Sequence, residues 1–289
     1  MVAWASAFPA IRIALAAYSP AQLALFRFVV AGAVLLGIGG AARLRPPAAR
    51  DLLSIGLLGA LGIAGYAVLL GYGQQHVPAG SASMLIASAP VWMVVIAAAL
   101  GREKPTAGAL IGIGVSFSGV ALIAAGRGLG PAFGPHALAV LGAAVAGAVY
   151  NILQRPLVAK YGALRFTIVA VWGGAIALLP AASGIFGAVR AAPPSATLAV
   201  LYLAVVPGAL GYAAWAYVLG RTSAATAGSA LYLIPAVSML LSNALLGEVP
   251  SRIGLIGGAL VIAGVAIVHR RAAARRAAAP VGGLALQRP

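Results

Sequence analysis

Apolar stretches of about 20 residues follow one another along this chain, separated by short breaks rich in Pro, Gly and Arg. A helix needs about 20 such residues, rising 1.5 Å each, to cross the hydrocarbon core of a bilayer. The breaks divide the chain into ten candidate spans, 1–18, 21–40, 52–73, 78–100, 106–125, 136–153, 166–186, 196–218, 224–246 and 252–269. They consume nearly all of the 289 residues and leave no room for a soluble domain. A water-soluble monomer must present a largely polar exterior. With 63% hydrophobic and 8% charged residues, this chain cannot do so and reads as an all-α integral membrane protein. A soluble enzyme, a disordered chain and a secreted disulfide scaffold are excluded, and the absence of cysteine removes thiolate metal sites and thiol nucleophiles.

The first span has no basic flank and no spare residues. It does not resemble a signal peptide, which needs a positive start. It reads as truncated, with an in-frame apolar extension of about eight residues expected upstream of Met1 to complete a span of about 20.

The net charge of +16 would suggest nucleic acid in a soluble protein. In a membrane protein it reports topology, because Arg and Lys collect in the short cytoplasmic loops. With the N-terminus inside and ten spans, 14 of the 19 basic residues fall in inside connections or the tail, three lie outside and two lie within spans. The bias places both termini in the cytoplasm and the chain in the cytoplasmic membrane of a bacterium. It leaves no folded surface for nucleic acid. The basic tail 270–289 is expected to be disordered, against anionic lipid headgroups.

A shift of 145 residues lays the second half on the first. Pro90 meets Pro235, Glu103 meets Glu248, Pro105 meets Pro250, and Gly119-Val120-Ala121 meets Gly264-Val265-Ala266. Glu103 and Glu248 are two of only three acids in the chain. Residues 1–125 and 136–269 therefore form two repeats of five spans each. Five is odd, so the second repeat enters the membrane inverted. Inverted repeats are a transporter architecture, with the substrate site near the midplane at the repeat interface and rocking that alternates access.

These residues resemble the EamA-like family of the drug/metabolite transporter superfamily. The resemblance lies in Trp4-Ala5-Ser6-Ala7-Phe8, Ile11-Arg12, Ser19-Pro20 and Phe26-Arg27-Phe28. It extends to the close of both halves: a mid-span Pro, then Gly and Glu, then Pro-Thr or Pro-Ser and a Gly-rich helix ending Gly-Val. Ala5 stands where the family commonly has Gly. The resemblance implies ten helices in two inverted halves and the movement of small metabolites, often amino acids, usually outward.

Pro90 and Pro235 mark the candidate pathway. Proline lacks an amide hydrogen and crowds the carbonyl one turn back, so the carbonyls of Ile86 and Leu231 are expected to be freed at the midplane. A freed carbonyl is tolerated there only against protein or a wet cavity. The bland alternative is a kink that shapes the bundle. Ser88, Trp92, Tyr232 and Ser238 flank the prolines, and Tyr66, Tyr212, Trp215 and Asn151 lie at comparable depth. Aromatic faces hold ammonium or apolar groups, and hydroxyls orient them. Equally, Trp and Tyr form interfacial belts and Ser packs between helices.

Arg12 and Arg27 are the formal charges inside spans, each within about two turns of the outer end. They are read either as structural, snorkelling or bonding carbonyls at helix ends, or as parts of an outer gate that draws anionic groups. Glu103 and Glu248 are expected to serve the starts of the spans that follow them, with Thr106 and Ser251 as caps. The pairs Gly108/Gly112 and Gly254/Gly258 predict close packing of the fifth and tenth spans, within one chain or as the seam of a homodimer.

No Walker-type phosphate loop is present, so this chain does not hydrolyse ATP. His76, His136 and His269 are expected to lie apart at span ends, and neither metal nor cofactor is implied. All three acids are terminal, so no mid-membrane carboxylate is expected to couple transport to protons or sodium, leaving a facilitator or a less usual coupling group. The leading reading is a secondary carrier of small metabolites. The alternative is a membrane-embedded enzyme or flippase-like carrier acting on lipid-linked or nucleotide-sugar substrates, or a non-transporting scaffold.

Overall fold

The computed structural model describes residues 1–100, 107–125, 133–212, 214, 233–249 and 251–278. Ten helices along these residues correspond to the ten spans. They are α1 (Val2–Ala14), α2 (Pro20–Ala41), α3 (Ala49–Gln74), α4 (Ala79–Ala99), α5 (Ala107–Ala125), α6 (Phe133–Leu153), α7 (Ala163–Ala177), α8 (Pro194–Leu210), α9 (Ile234–Leu246) and α10 (Arg252–Ala278). α2, α3, α4 and α6 are long and apolar enough to cross a membrane on their own. Short helices Arg155–Tyr161 and Ile185–Ala191 lie in the connections.

Local chemistry sets several boundaries. Ser19 caps α2 through its Oγ and the Gln22 amide, the Gln22 side chain returns to the Ser19 N–H, and Pro20 occupies the first turn. Ser251 caps α10 by accepting from the Gly254 amide at 3.0 Å. Gly247, at φ 65°, ends α9 in the left-handed conformation open to a residue without Cβ. Span seven is shorter than expected. α7 stops at Ala177, and a 3-10 turn over Leu179–Ala182, with Pro180 near its start, takes up the rest. α10, in contrast, runs nine residues past 269, so the basic segment through Ala278 is helix rather than disordered tail.

The packing obeys the 145-residue relation. Three pairs of repeat mates touch directly, α2 with α7, α4 with α9, and α5 with α10. The other major contacts come in matched sets: α3 on α6 mirrors α8 on α1, α3 on α7 mirrors α8 on α2, and α4 on α6 mirrors α9 on α1. Each half is thus packed mainly through the other.

The α5–α10 seam is close and antiparallel. A Cβ on Gly112 would meet the Gly264 carbonyl at 2.7 Å, and one on Gly119 the Gly257 carbonyl at 2.5 Å. These four glycines are two repeat-related pairs, spaced by seven rather than by four. The fifth and tenth spans pack as expected, but the seam is turned from the pairs read in the sequence. Gly258 faces Met84, and Gly254 meets Ser251 of its own segment.

Candidate functional site

Two π-helical turns interrupt the scaffold, Ala60–Gly65 in α3 and Ala204–Leu210 in α8. They fall at repeat-related positions. Such turns are rare and concentrate at functional sites. In α8 the cause is visible: Pro207 has no amide to give the ladder. In α3 the related residue is Gly62, where a Cβ would lie 2.2 Å from the Tyr150 ring of α6. Across the mirrored interface the Pro207 carbonyl accepts the Trp4 indole N–H at 3.1 Å. Each turn therefore presses an aromatic side chain of the opposite half.

Tyr66 directly follows the first π turn and packs beside Gly147 of α6. Tyr212, two residues after the second, meets Trp4 edge-on, with ring centroids 6.1 Å apart. Both tyrosines lie within electrostatic reach of Arg27 on α2. Two of the expected pathway residues, one from each half, thus share the electrostatic neighbourhood of one arginine. Arg27 does not snorkel freely. It is half-buried, its Nε is out of solvent without a hydrogen-bond partner, and its guanidinium carbon sits 5.3 Å from the Phe28 ring. Beside it a small void is lined by Ile11, Leu23, Ala24, Ala67 and Leu70.

The hydrogen-bond ladder of α4 is interrupted at Ala87-Ser88, both in right-handed helical backbone conformation. It stops at Ile86 and restarts at Ala89, with Pro90 in the first turn of the new segment. Ser88 turns back on its own chain, donating from Oγ to the Leu85 carbonyl at 2.6 Å. Trp92 packs edge-on against Phe117 of α5, at 5.0 Å, with its buried indole N–H unpartnered. Pro235 likewise sits in the first turn of α9, buried, one turn before Ser238, whose buried Oγ has no partner. Asn151 is exposed and engaged on its own chain, donating to the Gly147 carbonyl and accepting from Gln154, both at 2.8 Å. Trp215 and Tyr232 lie outside the described residues, as do Leu231, Glu103 and Thr106.

Arg12 does bond carbonyls at a helix end, donating from one terminal nitrogen to Gln74 at 2.5 Å and Gln75 at 3.0 Å. Its Nε also pairs with Glu248 at 3.3 Å. The other Glu248 oxygen accepts the Ala79 amide at 2.8 Å, in the first turn of α4. Glu248 therefore complements the N-terminal dipole of a helix in the opposite half, not that of α10. Gln74, fully buried, donates to the Phe8 carbonyl at 3.0 Å. Together these bonds tie α1, α3, α4 and the end of α9 at one face of the bundle.

A second set of ties joins corresponding helix starts and connections of the two halves, through residues that are not repeat mates. Asp51, in the first turn of α3, accepts from Lys160 and Tyr161 of the α6–α7 connection. Thr197, in the first turn of α8, shares a 2.7 Å hydrogen bond with Tyr18 of the α1–α2 connection. The histidines require a correction. His76 and His136 are not apart: their rings stack at 4.0 Å, Tyr72 stacks on His136 at 4.4 Å, and His136 Nδ1 lies 2.8 Å from the Tyr72 carbonyl. No group of three or more metal-ligating side chains occurs among the described residues.

The π turns, Trp4, Tyr150 and the Arg12–Glu248 tie carry most of this geometry and were not marked as a site by sequence reasoning. The available signal was Pro207 inside span eight and Gly62 at the related position.

Known proteins agree with this architecture. The model of the EamA-like transporter family matches residues 1–125 and again 135–270. The chain is 42% identical over 98% of its length, and 95% of the relative's, to a "Probable terminal-alkyne amino-acid exporter" of Streptantibioticus cattleyicolor. It is 35% identical, over 92% of its length and 87% of the relative's, to the uncharacterized transporter YdfC of Bacillus subtilis. A crystal structure of a protein of unstated function superposes with a TM-score of 0.60 at 23% identity, covering 93% of this chain and 95% of that one, a likeness of fold. Two repeats, an all-helical apolar bundle and these relatives agree: the chain belongs to the EamA-like transporter family.

Proposed function

We propose that this chain is a secondary carrier that exports small metabolites, amino acids among them, across the cytoplasmic membrane by alternating access between its two halves. The observation that carries the reading is the pair of repeat-related π turns. They carry Tyr66 and Tyr212, one from each half, within electrostatic reach of the half-buried Arg27. Inverted-repeat carriers hold substrate at the repeat interface. Most helix contacts run between the halves, so a change of access repacks the interfaces between them. Both termini are cytoplasmic in this reading, and Arg12–Glu248 closes the outer face. The amino-acid class draws on the name of the Streptantibioticus cattleyicolor relative. Among the described residues the two acids, Asp51 and Glu248, are held in ties at helix ends.

Export of L-propargylglycine, a terminal-alkyne amino acid, tests the proposal. Cells expressing the chain should survive higher external concentrations and clear a preloaded pool faster than vector controls. Proteoliposomes should show counterflow of the same compound. Equal pools and equal survival, with the protein present in the membrane, would overturn the reading.

A further inference from the structure

We infer that Arg27 is a carboxylate anchor, so that this site takes small molecules bearing a free carboxylate and rejects their neutral amides. The inference rests on the transport reading above and deepens it to a substrate class.

A guanidinium nitrogen held out of water needs an anion or another acceptor. The Nε of the half-buried Arg27 has neither among the described residues, and the side chain borders a void. The described acids are committed elsewhere, Asp51 to Lys160 and Tyr161, and Glu248 to Arg12 and the Ala79 amide. A purely structural arginine could bond carbonyls at a helix end, as Arg12 does, but Arg27 makes no such bond. The void beside it is lined on its other sides by Ile11, Leu23, Ala24, Ala67 and Leu70, which are apolar and offer no competing side-chain acceptor. Arginine presents a planar fork that matches a carboxylate with two parallel hydrogen bonds. Tyr66 and Tyr212, one from each half, lie within electrostatic reach of Arg27, so charge neutralised here is felt by both halves. Their ring faces suit an ammonium or an apolar side chain on the same molecule.

The void is small and the outer tie is closed, so the anchor fills as the halves separate. The carboxylate then displaces whatever water meets the guanidinium, and its desolvation is offset by a fixed, preorganised cation.

The test compares L-propargylglycine, its carboxamide, and pentanoate as a carboxylate without an ammonium. Purified wild type, Arg27→Gln and Arg27→Lys are each followed by thermal shift and by uptake into proteoliposomes. Wild type should prefer the acid over its amide by at least about tenfold, the lower bound for losing a charge-assisted hydrogen bond to a buried partner. Arg27→Gln should bring that ratio near one while the variant still inserts and melts cooperatively. Arg27→Lys should keep part of the preference, as a point charge without the fork. A wild-type acid-to-amide ratio retained in Arg27→Gln, or no discrimination in wild type, overturns the inference. If wild type moves none of the three compounds, the transport reading fails on that substrate. The anchor is then judged by thermal shift alone, where stabilisation by pentanoate lost in Arg27→Gln and reduced in Arg27→Lys supports it, and stabilisation unchanged in Arg27→Gln or absent with either carboxylate overturns it.

Discussion

Removing the carboxylate of Glu248 should open the face of the bundle that the proposed topology puts outside, by an amount that follows from its contacts. Glu248→Gln keeps an oxygen able to accept the Ala79 amide, now 2.8 Å from the carboxylate, but loses the ion pair with Arg12 at 3.3 Å. The pair is partly shielded, with the Glu248 side chain 14% exposed and that of Arg12 31%. Charge-assisted hydrogen bonds are worth about 1.5–3 kcal/mol when lost. Arg12 retains the Gln74 and Gln75 carbonyls, which places the cost near the low end, about 1.5 kcal/mol. That is roughly a tenfold shift in favour of the open form. The chain has no cysteine, so a single reporter thiol is unambiguous. Leu70→Cys is well placed, since Leu70 is 3% exposed and lines the void beside Arg27. In the Leu70→Cys background, Glu248→Gln should raise the rate of labelling by a membrane-impermeant maleimide from outside about tenfold. Arg12→Gln should do the same, and the double variant should add little. A rate within about twofold of the parent, or effects of the two single variants that simply multiply, would refute the closure, since coupled neighbours deviate from additivity.

The scaffold makes three further predictions. Gly119→Ala pushes a Cβ against the Gly257 carbonyl at 2.5 Å and the Val261 amide at 2.7 Å, both backbone, and should cost about 1–3 kcal/mol. Melting in detergent should fall accordingly, whereas Gly37→Ala, with nothing within 4 Å, should be neutral or raise it. Tyr18→Phe removes the Thr197 hydrogen bond from a ring that is 2% exposed and should cost about 1 kcal/mol, read by the same melt. Gly62→Ala drives a Cβ into the Tyr150 ring and should abolish counterflow of L-propargylglycine, with partial recovery when Tyr150→Ala is added.

The bundle was legible because its constraints are local or repetitive. Span lengths follow from hydropathy, the start of α2 from Ser19-Pro20, and the α5–α10 packing from glycine content. The rotation of that seam was not legible, because a one-turn and a two-turn glycine spacing coexist on both helices and packing chooses between them. Pro90 and Pro235 did mark helix interruptions, but as starts of new segments. The π turns escaped notice because widening a helical turn changes neither hydropathy nor length. The Arg12–Glu248 pair joins residues far apart in sequence, and only assembly of the two halves brings them together. The His76–His136 stack escaped for the same reason, although both lie at the same face in the sequence-derived topology.

The residues of the proposed site lie where the 145-residue relation fails. The repeat mate of Arg27 is Trp172, whose indole edge lies against Gly32. That of Arg12 is Leu157, that of Tyr66 is Gly211, and that of Gly62 is Pro207. In the proposed carrier, the symmetric part of the molecule, the axial helix pairs and the matched interfaces, would give the two related packings that alternating access requires. A molecule with a carboxylate at one end and an ammonium or apolar group at the other is not symmetric. It cannot be bound by two equivalent half-sites. One half must supply the cation and the other must not, or a second buried guanidinium would stand unpaired whichever way the substrate lay. Trp172 in place of a second arginine meets that requirement, since an indole carries no charge to neutralise. Arg27→Trp together with Trp172→Arg should therefore move the acid-over-amide preference to the mirrored side of the interface rather than destroy it. Loss of the preference in that exchange, with both single variants folded, would show that more than the position of one charge separates the halves.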